Sequence, residues 1–345
     1  MERSRLLNAH RAMNHLLKDL ALGMDKDRLN QEIISLSEQM FGQRKASILR
    51  LAENKLYIEC SPSLPDFYNQ AINGIDIGAD VGSCGAAAFH KQLIVVSDID
   101  RHPNWQVFLK LTQPANLHAC WSVPIISSQN IVLGTFAIYS DTPSDPRPYE
   151  LEILETLASV YAVAMEKFQL EKQLRFHASR DPLTLCLNRR ALLQEVEQAL
   201  LCPVDTQTVV GCFFADVDDF KAINDHYGHD VGDAVLSQVA NRFTQQLGSL
   251  SLVGRYGGDE FVAFERFEST ADFELFYHQL RQSLCDIVLD DGSLVSVSLG
   301  SSIAEQGHRL KTDELIRTAD QAMYRLKAAK RNKHDRDQHH IRLTK

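Results

Sequence analysis

The sequence predicts two domains of mixed helix and strand, an α+β module followed by an α/β module. The chain has 345 residues, and a typical domain has roughly 100–200. Hydrophobic residues make up 44% and charged residues 23%, values that exclude a largely disordered chain. Strand-like and helix-like apolar patterns fill both halves, which are joined by a run from Tyr149 to about Arg180 without glycine or proline.

The first module reads as helix, then strands, then helix. Its predicted helical residues fall on helical spacings: Leu16, Leu17, Leu20, Ile33, Leu36 and Met40. The predicted strands are rich in Val, Ile and aromatic residues: Ala46–Leu51, Leu93–Val96, Ser122–Ile126 and Val132–Tyr139. We expect an antiparallel sheet with helices packed to one side.

The glycine-free run predicts a long helix over residues 150–180. Within it, Leu157, Tyr161, Ala164 and Phe168 are spaced by four, three and four residues, as in a short heptad seam. Two interpretations stay open. The helix packs on its own domain, or it is a two-stranded connector that joins protomers and carries a signal. We favour the connector.

The second module alternates helices and strands and contains a hairpin, which predicts a mixed sheet. The predicted helices are Arg189–Leu201, a turn and loop over Phe220–Asp233, Ala234–Leu247 and Thr312–Ala329. The predicted strands are Val209–Ala215, Leu252–Arg255, Phe261–Phe264 and Leu294–Ser302, and the hairpin turns at Gly257–Gly258.

The charge is unevenly distributed. The formal net charge is −9 overall, but −11 within residues 201–300 and +5 within residues 301–345. No apolar run approaches the roughly 18–20 residues of a membrane span, and the first residues lack the apolar core of a signal peptide. The seven cysteines have no CxxC spacing, which favours reduced thiols. We expect a cytoplasmic protein that binds neither membrane nor nucleic acid.

Carboxylates cluster near two strand ends. Asp216 ends a buried apolar run, where α/β sheets place ligands, and Asp259 and Glu260 follow the diglycine turn. Hard carboxylate oxygens suit Mg²⁺. A solvated acidic loop is the alternative, and composition alone favours it. The hairpin reverses that preference, because Gly257–Gly258 lets a ligand approach the backbone closely.

The motifs resemble those of the GGDEF family of diguanylate cyclases, in the family's order over residues 178–335. The signature is Gly257–Phe261, preceded by Arg255. The remaining matches are Asp181, Leu183, Thr184 and Asn188–Arg190; Asp216–Lys221, Asn224–Asp225, Gly228–His229 and Gly232–Asp233; and Ala319–Asp320, Met323–Tyr324, Lys327, Arg331 and Asn332. The resemblance implies a nucleotidyl-cyclase-like domain, a mixed sheet flanked by helices, over residues 178–340.

The resemblance also implies the site residues. Two Mg²⁺ ions per active site, or Mn²⁺, would be held by Asp216, the Val217 carbonyl, Asp259 and Glu260. The guanine pocket would comprise Phe220, Asn224, His229 and Asp233. The triphosphate would bind Lys221, Lys327 and Arg331. Asp259 is the candidate base, and Lys221 would stabilise developing charge.

The implied reaction converts two GTP into cyclic di-GMP and two pyrophosphates. Each half-site holds one GTP, so catalysis requires a homodimer. The alternative is a degenerate relative that binds GTP or signals by contact. Leu185 and Lys330 stand where the family usually has glycine, and residues 248–251 replace its Arg-x-x-Asp product-binding motif. We therefore expect absent or weak inhibition by cyclic di-GMP.

The first module, residues 1–167, resembles a GAF domain, a family of small-molecule sensors. The matching segments are Gly82–Gly85, Val96–Ile99, Pro103–Trp105, Ala119–Ile125 and Leu133–Phe136. A regulatory ligand is implied but not identified, and dimerisation alone is the other role. Cys84, His90, His118 and Cys120 lack the spacing of haem, metal or bilin sites, which favours structural packing.

Overall fold

The computed structural model describes residues 2–42, 44–201, 209–248, 251–285, 287–289, 291–305 and 311–343. Within these ranges, side chains are described except at 2–5, 200–201, 305 and 331–343. The chain forms two compact units, Met1–Lys172 and Gln173–Lys345, which are treated separately below.

The first unit contains six strands and several helices. The helices are α1 (Glu2–Ala21), α2 (Lys26–Met40), α3 (Asp66–Ile72), α4 (Cys84–His90), α5 (Leu109–Thr112) and α6 (Pro148–Ser179), which extends into the second unit. The strands are β1 (Lys45–Ala52), β2 (Lys55–Cys60), β3 (Ile75–Asp76), β4 (Ile94–Val96), β5 (Ala119–Ile126) and β6 (Val132–Ser140).

The six strands form an antiparallel sheet in the order β3-β2-β1-β6-β5-β4. Side chains alternate between its two faces. One face packs on α1, α2 and α6, with Trp121, Phe136 and Ile138 at the centre. The other packs on α3 and α4. The expectation of helices on one side is therefore wrong, because Tyr68 and Ile72 of α3 cover the second face.

The predicted seam of α6 does not face a partner chain. Leu157, Tyr161 and Ala164 are each no more than 3% exposed and belong to the core of the first unit, with Phe168 packed against it. This supports the interpretation of a helix packed on its own domain for those residues. The exposed apolar side chains of α6 lie elsewhere, at Val163, Leu170, Leu174 and Phe176.

The second unit has a five-stranded mixed sheet. Its strands are β7 (Leu187–Asn188), β8 (Val209–Val217), β9 (Leu252–Arg255), β10 (Glu260–Phe267) and β11 (Val297–Glu305). Its helices are α7 (Arg189–Leu201), α8 (Phe220–Tyr227), α9 (His229–Gln246), α10 (Thr270–Leu284) and α11 (Thr312–Leu343).

The strand order is β11-β8-β10-β9-β7, with β7 and β9 parallel and the other pairs antiparallel. One face packs on α9 and α10, and the other on α7 and α11. Gly300 lets α11 lie directly on β11, because a Cβ there would lie 2.2 Å from the Ala319 carbonyl oxygen. The mixed sheet flanked by helices is confirmed. Among the described residues, no helix combines the length and apolar character needed to cross a bilayer.

Candidate active site

Two predicted metal-binding carboxylates face each other at one end of the sheet. Asp216, near the end of β8, is paired in register with Glu260, the first residue of β10. The next residue is held similarly, since the Val217 amide donates to the Asp259 carbonyl oxygen over 3.2 Å. Antiparallel pairing thus brings together residues more than forty positions apart.

These carboxylates are partly buried and repel one another. Burial raises the pKa of Glu260, and the charges of Asp216 and Asp259 raise it further. Burial also raises the pKa of Asp216 above its ordinary value, although the Lys327 ammonium opposes this. The Lys327 Nζ donates to Asp216 Oδ1, and both side chains are at most 16% exposed. The site is therefore acidic, and the Lys327 ammonium is a cation bound within it.

The diglycine hairpin is held from outside by an arginine. Arg255 Nε and Nη2 donate to the Gly258 carbonyl oxygen over 3.1 and 2.7 Å. Arg255 Nη1 also reaches both carboxylate oxygens of Asp181 at 3.1 Å. The Glu260 carboxylate folds back over the turn, and a Cβ on Gly257 would lie 2.3 Å from its Oε2. Sequence reasoning noted Asp181 and Arg255 separately but missed their pairing.

A second lysine holds the neighbouring carboxylate. Lys330 Nζ donates to Asp218 Oδ2 over 2.8 Å and to the Val297 carbonyl oxygen over 2.9 Å. Ser296 and Ser298 donate to Asp218 over 2.6 and 2.7 Å. Burial opposes ionisation, but these donors outweigh it and hold the pKa of Asp218 below its usual value. Lys330, a departure from the family pattern, therefore ties α11 to the ends of β8 and β11.

The predicted guanine-binding residues lie on α8 and α9. Asn224 Oδ1 is buried and, within the described part of the chain, has no hydrogen-bond partner. Its position depends on Gly232, because a Cβ there would lie 1.9 Å from that oxygen. His229 and Asp233 are exposed on α9, while Phe220 is half-buried against the core.

The phosphate-binding candidates are placed differently from one another. Lys221 is exposed on α8, whereas Lys327 is bound to Asp216. Arg331 lies on α11 where only the backbone is described. Across the described ranges, no group of three or more His, Cys, Asp or Glu side chains is arranged to hold a metal ion. The assembled features are the facing acids, the hairpin and the unpaired amide oxygen.

Comparison with known proteins gives a match in each unit. A model described as diguanylate cyclase, GGDEF domain, matches residues 178–333, and a GAF domain model matches residues 23–166. An uncharacterized protein of Mycobacterium tuberculosis is 35% identical over 211 residues, 60% of this chain and 33% of that protein. Diguanylate cyclase DosC of Escherichia coli K12 is 30% identical over 187 residues, 53% of this chain and 40% of DosC.

The chain therefore spans well under half the length of these curated relatives. Among solved structures, a microbial GGDEF domain studied with cyclic di-GMP is 35% identical. That match covers 45% of this chain and 94% of the other, with a TM-score of 0.39. Residues 178–333 therefore form a GGDEF domain, the domain of the diguanylate cyclase family, and a GAF domain at residues 23–166 precedes it.

Proposed function

We propose that the protein is a diguanylate cyclase that condenses two GTP into cyclic di-GMP and two pyrophosphates. The observation that carries this proposal is the register of β8 and β10, which sets Asp216 opposite Glu260 beside the glycine turn. A site of this kind can bind a polyanionic nucleotide only with added cations, because its own carboxylates repel phosphate.

The donor set fits a hard divalent cation. Asp216, Asp259, Glu260 and the Val217 carbonyl supply only oxygen, and an ammonium already lies against Asp216. Magnesium is usually held by one or two carboxylates together with substrate phosphates, so a complete protein cage is not required. When bound, Mg²⁺, or Mn²⁺ in its place, neutralises phosphate charge and lowers the pKa of the attacking hydroxyl.

The nucleobase is selected by residues of α8 and α9. The buried Asn224 Oδ1 is an acceptor without a partner among the described residues, and guanine offers an N1–H and an exocyclic amine as donors. Asp233 adds a carboxylate one residue beyond Gly232. Phe220 and His229 complete the proposed pocket. Adenine lacks this donor pattern, so GTP is preferred over ATP.

The chain's own residues position the reacting groups. Lys221, Lys327 and Arg331 bind the triphosphate, and Lys221 stabilises charge as it develops on the phosphate. Lys327 must exchange its contact with Asp216 for a phosphate oxygen when nucleotide enters. Asp259 would hold a metal ion, and it is the candidate base for the proton of the 3′-hydroxyl that attacks the α-phosphorus of the second GTP.

Two active sites must face each other, so the active form is a homodimer. The GAF domain regulates it, either through a small-molecule ligand or by supporting dimerisation. Feedback is weak, because glycine and serine occupy positions 248 and 251 of the product-binding stretch and both bind Glu265; residues 249 and 250 lie outside the described residues. Cytoplasmic localisation remains part of this proposal.

The test is incubation of the full chain with GTP and Mg²⁺, followed by chromatography of the nucleotides. We expect cyclic di-GMP from GTP, none from ATP, and none from Asp259→Ala. A neutral control is Asp272→Asn, at the start of α10 and outside the site. A dimer that binds GTP without turning it over would contradict the proposal and favour a degenerate, GTP-binding receptor.

A further inference from the structure

Two buried cysteines of the GAF domain meet on the sheet face that packs on α3 and α4. Cys84 begins α4, and Cys120 lies on β5 opposite Tyr139 of β6. The Cys84 Sγ is 3.7 Å from the Tyr139 hydroxyl, and Cys120 is the cross-strand neighbour of that tyrosine. Ser83, the residue before Cys84, donates its hydroxyl to the Cys120 carbonyl oxygen over 3.2 Å, so the start of α4 lies directly on β5 at Cys120.

Two buried hydroxyls nearby lack a conventional partner. Ser122 Oγ and Thr135 Oγ1 are fully buried, and the described part of the chain provides neither with a hydrogen bond of ordinary geometry. Both lie on the same sheet face as Cys120 and Tyr139, because they are an even number of residues away along their strands. A neutral thiol is a weak acceptor, whereas a thiolate is a strong one. Both hydroxyls are therefore available to donate to an anionic sulfur on this face of the sheet.

The surroundings give the two thiols different pKa values. Hydrogen bonding, from Cys120 first, lowers the pKa of Cys84 to about 7 despite burial. Burial raises the pKa of Cys120 well above its ordinary value. Unequal thiols of this kind suit one nucleophilic and one resolving cysteine.

The sulfur of Cys84 is also the more accessible. Cys84 is 8% exposed and Cys120 is fully buried. Cys84 lines a small cavity of about 30 Å³ together with Val81, Gly82, Trp105 and others, and Cys120 is not among the lining residues. A small oxidant that enters this pocket meets Cys84 first.

We propose that Cys84 and Cys120 form a redox-active dithiol, which hydrogen peroxide converts into a disulfide between α4 and β5. The Cys84 thiolate attacks the peroxide, the O–O bond breaks, and the leaving oxygen departs as water after taking up a proton. The product is a sulfenic acid at Cys84. The Cys120 sulfur then attacks the Cys84 sulfur, and hydroxide leaves and takes the Cys120 proton as water. Sulfur loses two electrons and the peroxide gains them.

The test uses the full chain, reduced and then treated with hydrogen peroxide, alkylated, digested and analysed by mass spectrometry. We expect a Cys84–Cys120 linked peptide, loss of two alkylation sites, and reversal by dithiothreitol. In Cys120→Ser, dimedone should label Cys84. Cys60→Ser, in the same domain, should retain the cross-link.

Peptide mapping of the wild-type chain tests the proposal even where a variant does not fold. Alkylation of both Cys84 and Cys120 after peroxide treatment that oxidises the exposed Cys285 would overturn the proposal. So would a disulfide that joins either cysteine to another partner. This readout is independent of cyclase activity, so failure of the proposed function leaves it unaffected.

Discussion

Leu185 adopts a backbone conformation that favours glycine. Its φ is 58°, its side chain is 58% exposed, and its amide donates to the Asp181 carbonyl oxygen over 2.9 Å. An exposed leucine has little packing to offset the left-handed backbone, which costs about 1–2 kcal/mol. The usual family glycine avoids that cost but loses some of the benefit through the greater freedom of the unfolded chain.

We therefore expect Leu185→Gly to stabilise the GGDEF domain by about 1 kcal/mol, measured by urea unfolding. Leu275→Gly is a matched control, since Leu275 is 61% exposed within α10. It should destabilise by about 1 kcal/mol. A destabilised Leu185→Gly variant would contradict the interpretation of strain.

Substitution of Asn224 distinguishes a role in guanine recognition from a role in folding. Its Oδ1 has no partner in the described residues of the free protein, so Asn224→Ala removes no intramolecular hydrogen bond from that oxygen. We expect kcat/KM for GTP to fall about tenfold to a hundredfold, the effect of losing one or two hydrogen bonds to the base. Stability should not fall. Asn241→Ala, on the exposed side of α9, is the control; an unchanged kcat/KM for Asn224→Ala would remove this residue from the guanine pocket.

For single residues, the positions of the motifs are predictable from the sequence, but the partners of their side chains are not. Asp216, Asp259 and Glu260 follow from the signature, and the register of β8 and β10 places them together. The sequence indicates Lys330 only as a departure from the family's glycine, yet in the structure Lys330 binds Asp218. Side-chain pairing across more than a hundred residues leaves no local pattern in the sequence.

Among the elements, the hairpin depends on Asp181, whose pKa is lowered. Burial opposes ionisation, but hydrogen bonds from Thr184 and Arg255 outweigh it. A carboxylate with a depressed folded pKa contributes stability above its unfolded pKa of about 3.9 and loses it as pH falls through the folded value. Asp181→Asn should therefore be less stable by about 2 kcal/mol at pH 7.

The difference between wild type and Asp181→Asn should shrink as the pH falls below about 4, because the wild type then loses the charged contact. Urea unfolding at several pH values measures it. Glu197→Gln, on the exposed side of α7, should show a small difference with no such change. A constant difference for Asp181→Asn would contradict the role of the ionised carboxylate.

We expect the exposed apolar face of α6 to form the dimer contact. Val163, Leu170 and Leu174 are 56%, 57% and 62% exposed and are spaced by seven and four residues, the spacing of a coiled-coil seam. We expect the double variant Leu170→Asp, Leu174→Asp to shift the protein towards monomer in sedimentation and to lower cyclase activity with it. Val107→Asp, at a side chain 79% exposed, should leave the dimer intact. An unchanged dimer in the double variant would place the contact elsewhere.

The apolar periodicity of α6 has two possible explanations. The heptad spacing at Leu157 and Tyr161 is real, but those residues are in the GAF core, and the free face carries a second spacing. A helix that packs on its own sheet and a helix that pairs with a copy require the same apolar period. Helix α7 begins and ends as predicted. The sequence patterns do not predict the strands β2, β3 and β7 or the helices α3, α4, α5 and α10.

For the whole molecule, the distribution of charge was more informative than its total. The acidic segment 201–300 contains Asp216, Asp233 and Asp259, and the basic segment 301–345 supplies Lys327 and Lys330. The structure brings the two segments together through the contact of α11 with β8 and β11. The order of domains was predictable from motifs, and the GAF ligand was not, because pocket-lining residues are scattered over several elements.

We propose that two nucleotide sites, one from each protomer, act together on two GTP. The most direct measurement is the amount of pyrophosphate and cyclic di-GMP released from GTP over a series of protein concentrations. We expect two pyrophosphates per cyclic di-GMP, and a rate per protomer that rises with concentration until the dimer is complete. Bound GTP without pyrophosphate release, or a rate per protomer that stays constant where sedimentation shows monomer, would contradict it.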